Sequence, residues 1–570
     1  MIEISVVIPT YNRAGRLKTC LEALTRQTQP ASDFEVIVVV DGSTDETLAM
    51  LRNLDTPFML RTVWQENSGQ PGALNRGIVE AAGRYCLFLD DDITPGPQLV
   101  AEHLRAQRKH GHVVAIGHLS LSLPDTASWY ALAFAQSWQE HYDMLNRENA
   151  VISWEDCYSG NLSAPRDALL ACGGFGTDLA RGYDVELAWR LEKKGCSFIY
   201  LPEATGCQDE RKDFRELTQD AENAGMVDIT LYQRNPQMLS QALASFPAGS
   251  WRKLLLRRFF LAFRISPRLL ELIVRFISDP KRKYTWHSFI QNLFYWCGVR
   301  KRVASKDIWS QLTAGIPILM YHAVGSGKEQ AGPYVIPENR LAMHLDWIKR
   351  LGYQVISLDQ FLTYLSEYRF PPSRSVIITF DDGYLDNFAL AYPLLRRQGI
   401  SATIFLVTDY IGHTNQWDQA SQLSGRPIMD WPHIKEMAAQ GVQFGAHTCT
   451  HSSLTTVSPT QASTEIIESR KLLERELGRP VNAFAYPYGE HNQSVQTLVK
   501  NAGFPAGCTG DAGLNSLGTP AEALRRVEVQ GTDSIIRLAL ALWLGDAEAI
   551  RQRKNKPNPI TYYESTRRMA

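Results

Sequence analysis

Val376-Ile377-Ile378-Thr379-Phe380-Asp381-Asp382-Gly383 is an apolar run that halts on two carboxylates and a glycine. Its leading residues are β-branched or aromatic, which suits a strand covered on both faces, as in a parallel sheet flanked by helices. In such sheets ligands gather beyond the carboxyl ends of the strands, so acids placed there are either turn residues or chemistry. The same grammar stands far upstream, where Leu87-Phe88-Leu89 runs into Asp90-Asp91-Asp92.

Working outward from the two stretches gives one rhythm twice. Around the first acidic run, residues 5–9, 35–40 and 85–89 read as strands and 17–24 and 73–81 as helices. Around the second, 317–321, 376–380 and 403–407 read as strands, with helical patterns over 341–351, 389–398 and 461–477. Strands alternating with helices imply α/β architecture with mostly parallel sheets. The 570 residues exceed the usual domain of ~100–200 residues several times over, so the chain divides into parts. Residues 1–245 and 313–545 form the two α/β domains, 246–312 a basic helical linker, and 546–570 a flexible basic tail. Between Trp251 and Lys306 stand fourteen Lys or Arg against Glu271 and Asp279, interleaved with Leu, Ile and Phe. That composition suits either a solvated helical linker or basic amphipathic helices resting on a membrane surface.

Composition narrows the class. With 44% hydrophobic and 21% charged residues the chain folds rather than staying disordered, and a net charge of −1 argues against nucleic acid as a partner. Nine cysteines without a C-x-x-C pair suggest reduced thiols rather than a disulfide framework. The start shows no secretory leader and no apolar stretch is long enough to span a bilayer. The expected location is therefore cytoplasmic, including the inner face of the membrane.

Three consecutive carboxylates at a sheet edge repel one another unless a cation joins them, and Mg²⁺ or Mn²⁺ commonly bridges such acids to a diphosphate. In the second domain, His447-Thr448-Cys449-Thr450-His451 sets two imidazoles at i and i+4, near enough on one turn to share a metal. With Asp382 they make a three-ligand site with an open position, the pattern of catalytic Zn²⁺ or a similar ion, and Asp381 is left as general base.

Ser5-Val6-Val7-Ile8-Pro9-Thr10-Tyr11-Asn12-Arg13, Val38-Val39-Val40-Asp41-Gly42-Ser43-Thr44-Asp45 and the segment from Asn67-Ser68-Gly69 to Asn75-Arg76-Gly77 together resemble family 2 glycosyltransferases of the GT-A fold, over roughly residues 1–235. The resemblance implies a Rossmann-like domain that takes a sugar from a nucleotide diphosphate. Asp41 would then contact the nucleobase or ribose of the donor, Asn67 and Arg76 would bind substrate, Asp90 and Asp92 the metal, and Asn161 would lie near the acceptor with the Gly173-Gly174-Phe175 turn. An inverting transfer needs a carboxylate to receive the acceptor's proton. Asp184 in Gly182-Tyr183-Asp184-Val185-Glu186 is the candidate, resembling the family's Gly-Glu-Asp motif; Tyr183 departs from that motif and leaves Glu186 as a second candidate.

The Asp381-Asp382 pair, His447 to His451, Pro317-Ile318-Leu319-Met320-Tyr321-His322 and Ala485-Tyr486-Pro487-Tyr488-Gly489 resemble polysaccharide deacetylases of carbohydrate esterase family 4, over roughly residues 315–535. The implied fold is a distorted (β/α) barrel and the implied substrate an N-acetylated sugar, with Tyr486, Pro487 and Tyr488 at the substrate. Two departures stand out. Ala485 sits where an Arg usually orients the base, and Leu524-Arg525-Arg526-Val527 lacks the late His that protonates the leaving amine. His322 is the substitute acid, or else a structural histidine.

The chain therefore reads as a bifunctional enzyme of glycan synthesis that transfers a sugar to a glycan or lipid-linked saccharide and removes an N-acetyl group. The alternatives are an active transferase joined to a catalytically silent deacetylase domain that binds glycans, or a partner domain that hydrolyses another acyl group.

Overall fold

The computed structural model describes residues 2–247, 251–263, 269–272, 276, 279–303, 305–327, 331–417 and 423–546. The chain separates into two compact units, one of Met1–Ser240 with Phe260–Val303, the other of Gln241–Phe259 with Ala304–Ala570. The stretch expected as a linker is thus shared between them. The tail beyond Asp546 lies outside the described residues, as do 264–268, 273–275, 277–278 and 304 of the basic stretch.

The first unit holds strands β1 (Ile4–Thr10), β2 (Phe34–Asp41), β3 (Met59–Gln65), β4 (Tyr85–Leu89), β5 (Ile93–Pro95), β6 (Val113–Ser122), β7 (Asn161–Pro165) and β8 (Ser197–Asp209) in the order β3-β2-β1-β4-β7-β6-β8-β5. Strands β3, β2, β1 and β4 run parallel. Strand β7 enters antiparallel between β4 and β6, so the sheet is mixed rather than mostly parallel. Strand direction depends on the connection, and five residues such as Asn161–Pro165 carry no mark of it. Every residue of β1, β2 and β4 is buried. Being parallel, these strands deliver Thr10–Arg13, Asp41–Asp45 and Asp90–Asp92 to one edge.

Helix Phe214–Arg234, opened by an Asp213/Glu216 capping box, packs along helix Pro280–Arg302. The two approach so closely that a Cβ on Gly225 would stand 1.9 Å from the Tyr295 carbonyl oxygen, and one on Gly298 1.8 Å from that of Glu222. Asp228 accepts hydrogen bonds from Ser240 Oγ at 2.5 Å and Tyr295 Oη at 2.7 Å across this seam. Phe289, Phe294 and Trp296 are buried. Much of the aromatic content of the basic stretch is therefore internal packing. No described helix is long and apolar enough to cross a membrane.

The second unit contains β9 (Ile318–Tyr321), β10 (Ala323–Gly325), β11 (Val335–Pro337), β12 (Gln354–Val355), β13 (Ser375–Phe380), β14 (Thr403–Leu406), β15 (Gln443–Ala446), β16 (Ala483–Ala485), β17 (Ala506–Cys508) and β18 (Val527–Glu528). Its main sheet runs β17-β16-β15-β14-β13-β9-β18, all parallel, with β12 beside β13. The sheet curls into a half-barrel, and the stretch before β18 touches β17 through a single parallel bridge between Leu524 and Cys508. Helices Glu338–Arg350, Tyr392–Gln398 and Pro459–Leu477 occupy the stretches with helical pattern. A five-residue π-helical turn, Asn387–Ala391, precedes the second of these and lets Asn387 Nδ2 donate to the His322 carbonyl at 2.9 Å.

Candidate active sites

In the half-barrel, chemistry collects where β13 and β15 end. Asp382 and Gly383 both take left-handed backbone, φ 72° and 73°, which turns the chain sharply after Asp381. His447 follows β15 directly, and its Nδ1–H donates to the Ala485 carbonyl at 2.8 Å, so the lone pair of Nε2 is left for a ligand. Residues 447–451 do not make the helical turn their spacing suggested. Thr448 and His451 both have positive φ, and the loop is tied by Glu465, which accepts from the Cys449 and Thr450 backbone N–H groups at 2.8 and 2.9 Å. Cys449 Sγ donates to the Glu465 carbonyl at 3.6 Å and is not among the converging ligand atoms.

His447 Nε2 and His451 Nε2 lie 3.6 and 3.3 Å from Asp382 Oδ1. Burial, and then His451, push the His447 pKa down to about 4, so near neutrality the ring is uncharged. Burial would raise Asp382, but His451, His322 and His447 outweigh it and hold the carboxyl well below the usual range. Asp382 Oδ1 accepts no hydrogen bond. Ligands at ~2.0–2.1 Å in a tetrahedron stand about 3.3–3.4 Å apart, close to these separations. The three residues fit a metal ion, and among the described residues they are the one group of three such ligands drawn within 4.8 Å of one another.

Asp381 is buried beside them, its Oδ1 accepting from Arg526 Nη1 at 2.6 Å while Arg526 Nε donates to the Thr509 carbonyl at 2.9 Å. Burial would raise its pKa, but Arg526, His447 and His322 prevail and keep it ionised. Arg526 lies in the segment inspected for a late histidine, and sequence reading missed its role because 145 residues separate it from its partner. His322 faces the same carboxyls electrostatically, and its buried Nδ1 has no hydrogen-bond partner. Tyr486 is buried with its hydroxyl on the Glu522 carbonyl at 2.7 Å, and Pro487 is buried as well. Tyr488 is exposed, its ring 4.6 Å from that of His451, and Trp417 stacks on His451 at 5.0 Å. Trp417 carried no signal in the sequence.

In the first unit the acidic triplet splits by direction. Asp91 turns inward, accepting from Thr10 Oγ1 at 2.7 Å and Arg13 Nη1 at 2.9 Å. Asp90 accepts from Gln70 Nε2 at 2.8 Å, and Asp92 lies 3.4 Å from both Arg13 and Arg16. Burial and then Asp92, Asp91 and Asp184, opposed by Arg13, push the Asp90 pKa up to about 7. Such crowding suits a divalent cation. Asp184 opens helix Tyr183–Lys193 and accepts from the Ser159 and Val185 N–H groups at 3.3 and 2.9 Å; its pKa is raised by burial against these bonds. Glu186 is instead gripped by Arg190 through both oxygens, at 2.8 and 2.6 Å.

Asp41, at the end of β2, accepts from Gln65 Nε2 and from the Ser68 and Gly69 N–H groups at 2.7, 2.9 and 2.9 Å, and Asn67 Nδ2 donates to its carbonyl at 3.1 Å. Arg76 points to Glu80 at 2.8 Å on the helix surface. Asn75, not singled out in the sequence, exchanges two bonds with Phe175 and fixes the glycine turn.

Asn161 is placed differently from the expectation of an acceptor contact. It is buried, its Nδ2 donating to the Ala204 carbonyl at 2.8 Å and its Oδ1 accepting from His103 Nε2 at 2.9 Å. His103 Nδ1 then accepts from Ser163 Oγ at 2.9 Å, which fixes one neutral tautomer. Burial lowers the His103 pKa to about 4. The folded state thus resists a proton that the unfolded chain binds from its ordinary pKa of ~6.5 downward, so stability is full above that pH and falls towards pH 4, by up to ~3 kcal/mol. Thermal unfolding between pH 7 and 4.5 is expected to show a steeper decline for the parent than for His103→Gln.

Two α/β units, one ending its strands in crowded acids and the other in an Asp-His-His cluster beside a paired Asp, define a carbohydrate-active enzyme in two parts. Residues 5–169 match the family model "Glycosyl transferase family 2" and residues 369–507 match "Polysaccharide deacetylase"; the chain carries a family 2 glycosyltransferase domain followed by a polysaccharide deacetylase domain, and belongs to the polysaccharide deacetylase family. The second half is 30% identical over 233 residues to "Putative polysaccharide deacetylase YxkH" of Bacillus subtilis (strain 168), covering 40% of this chain and 78% of that protein. Glycosyltransferase AglE of Haloferax volcanii is 26% identical over 243 residues, 42% of this chain and 78% of its own. Poly-beta-1,6-N-acetyl-D-glucosamine N-deacetylase of Staphylococcus aureus (strain MSSA476) is 27% identical over 191 residues, 32% of this chain and 63% of its own.

Proposed function

We propose that the chain is a bifunctional enzyme of polysaccharide synthesis, transferring a sugar from a nucleotide diphosphate donor with its first domain and N-deacetylating an N-acetylated saccharide with its second. The Arg526–Asp381 pair beside the Asp382-His447-His451 cluster carries the reading. A silent domain would have no need of a buried base held ionised next to three converging ligand atoms.

Zn²⁺ or a similar divalent metal held by Asp382, His447 and His451 would supply a lowered water pKa and a polarised acetyl carbonyl. Asp381 takes the proton of the attacking water, and Arg526 keeps Asp381 ionised and aimed. As the C–N bond breaks, His322 gives a proton to the departing nitrogen, so the products are acetate and a free amine. Tyr488 and Trp417, flanking His451, offer faces for the sugar ring. In the transferase domain, Mg²⁺ or Mn²⁺ at Asp90 and Asp92 would neutralise the donor diphosphate. Asp184 accepts the proton of the acceptor hydroxyl, and the Asp41–Asn67 corner forms the wall for the nucleoside.

Support for an N-acetylglucosamine polymer as substrate comes from the Staphylococcus aureus relative's own description. The test is acetate release from N-acetylglucosamine oligomers by zinc-loaded protein, beside chelator-treated protein and Asp381→Asn. Acetate from the loaded parent alone supports the reading. Zinc bound by the parent with no acetate from free or lipid-linked oligomers would point to the glycan-binding alternative.

A further inference from the structure

The second unit presents apolar stripes outward on two helical segments, Trp251–Phe259 and Ile535–Leu544. The first of them buries Leu254 and Arg257 on one side, with Arg257 donating to the Phe246 carbonyl and lying 5.3 Å over its ring. Its opposite side shows Arg252, Leu256 and Phe259, spaced by four and three residues along one face. Helix Ile535–Leu544 buries Leu538, Ala541 and Leu542, yet leaves Ile536 71% and Trp543 46% exposed, with Leu540 half-buried between them at helical spacing. The two stripes adjoin, because Arg258 Nη1 donates to the Trp543 carbonyl at 3.1 Å and its guanidinium lies 5.0 Å over the Trp543 ring.

Neither helix contains an acidic residue, and Arg252 and Lys253 stand exposed with Arg258 half-buried beside them, while Arg537 is paired with Asp533 at 3.3 Å. Exposed leucine, isoleucine, phenylalanine and tryptophan rimmed by one sign of charge suit a surface that is apolar inside and anionic at its boundary. A second copy of the same face would set like charges opposite one another. We propose that this two-helix face rests on anionic phospholipid, lying in the interface without crossing it. The expected basic anchor thereby contracts to its first helix and gains a partner, residues 535–544, which sequence reading left out. The proposal rests on the fold of the second unit, and its test reads lipid binding, which a failure of the catalytic reading would leave untouched.

Flotation of the full chain with vesicles of phosphatidylglycerol and phosphatidylcholine, against pure phosphatidylcholine, tests it. Binding is expected to the anionic vesicles, to weaken with salt, and to fall about tenfold or more in Arg252→Glu/Lys253→Glu and in Phe259→Ser/Trp543→Ser. Thermal unfolding of both variants is expected to match the parent, which certifies folding. Equal binding to both vesicle types, or parent-like binding by the folded variants, would overturn the proposal. So would no vesicle binding together with a parent dimer, seen by light scattering, that the same variants dissolve.

Discussion

Arg526→Met is expected to destabilise the deacetylase domain by about 3–5 kcal/mol, because it leaves the Asp381 carboxylate buried without its partner. Arg526 is 1% exposed, so water cannot replace the lost guanidinium. Burial, now opposed only by His447 and His322, would lift the Asp381 pKa from its depressed position. The sign follows. In the parent, a depressed carboxyl contributes stability above the unfolded pKa of ~3.9, lost only as pH falls through the folded value. In the variant the carboxyl holds its proton to higher pH, so the acid limb of the acetate-release profile moves upward, and the rate falls ~10²–10⁴-fold where the base is protonated. Arg526→Lys keeps a charge and recovers part of both losses. Denaturant unfolding with the pH profile decides; a variant matching the parent in both would remove Arg526 from the mechanism.

Asp184→Asn is expected to slow sugar transfer by ~10²–10⁴-fold while leaving donor binding and acetate release as in the parent. The amide keeps the size of the carboxylate and its one oxygen still accepts from the Val185 N–H, giving up only the longer bond from Ser159, so the loss is chiefly one of basicity. Glu186→Gln serves as the comparison. Its carboxylate is already occupied by Arg190, and the substitution is expected to cost helix stability more than rate. The two variants are compared by nucleotide release and product formation; reversal of their ranking would assign the base to Glu186.

What the sequence disclosed was local. Strand, acid and loop stand within a few residues in Val376–Gly383 and Leu87–Asp92, and parallel packing brings such ends to one edge without further instruction. The cluster of Asp382, His447 and His451 was legible for the same reason. What it withheld depends on distance and on backbone sign. Arg526 reaches Asp381 only because β18 lies beside β9 and β9 beside β13, a closure that no period in the sequence records. Glu465 ties the histidine loop from a helix whose pattern shows only amphipathicity. Asn161 looks like a site residue in a motif, yet its amide satisfies buried carbonyls. By composition, residues 280–302 suited a linker or a membrane surface, yet their helix packs tightly along Phe214–Arg234 through Gly225 and Gly298.

The crossing at Gly225 and Gly298 has a consequence for how the protein is made. Helix Phe214–Arg234 leaves the ribosome well before helix Pro280–Arg302, and at ~5–20 residues per second its seam waits on the order of seconds for its cover. Meanwhile residues 241–259, which belong to the other unit, have already been synthesised. Nascent transferase is therefore vulnerable to aggregation in that interval, and a gene fragment ending near residue 245 would make the interval permanent; one ending after Val303 would not.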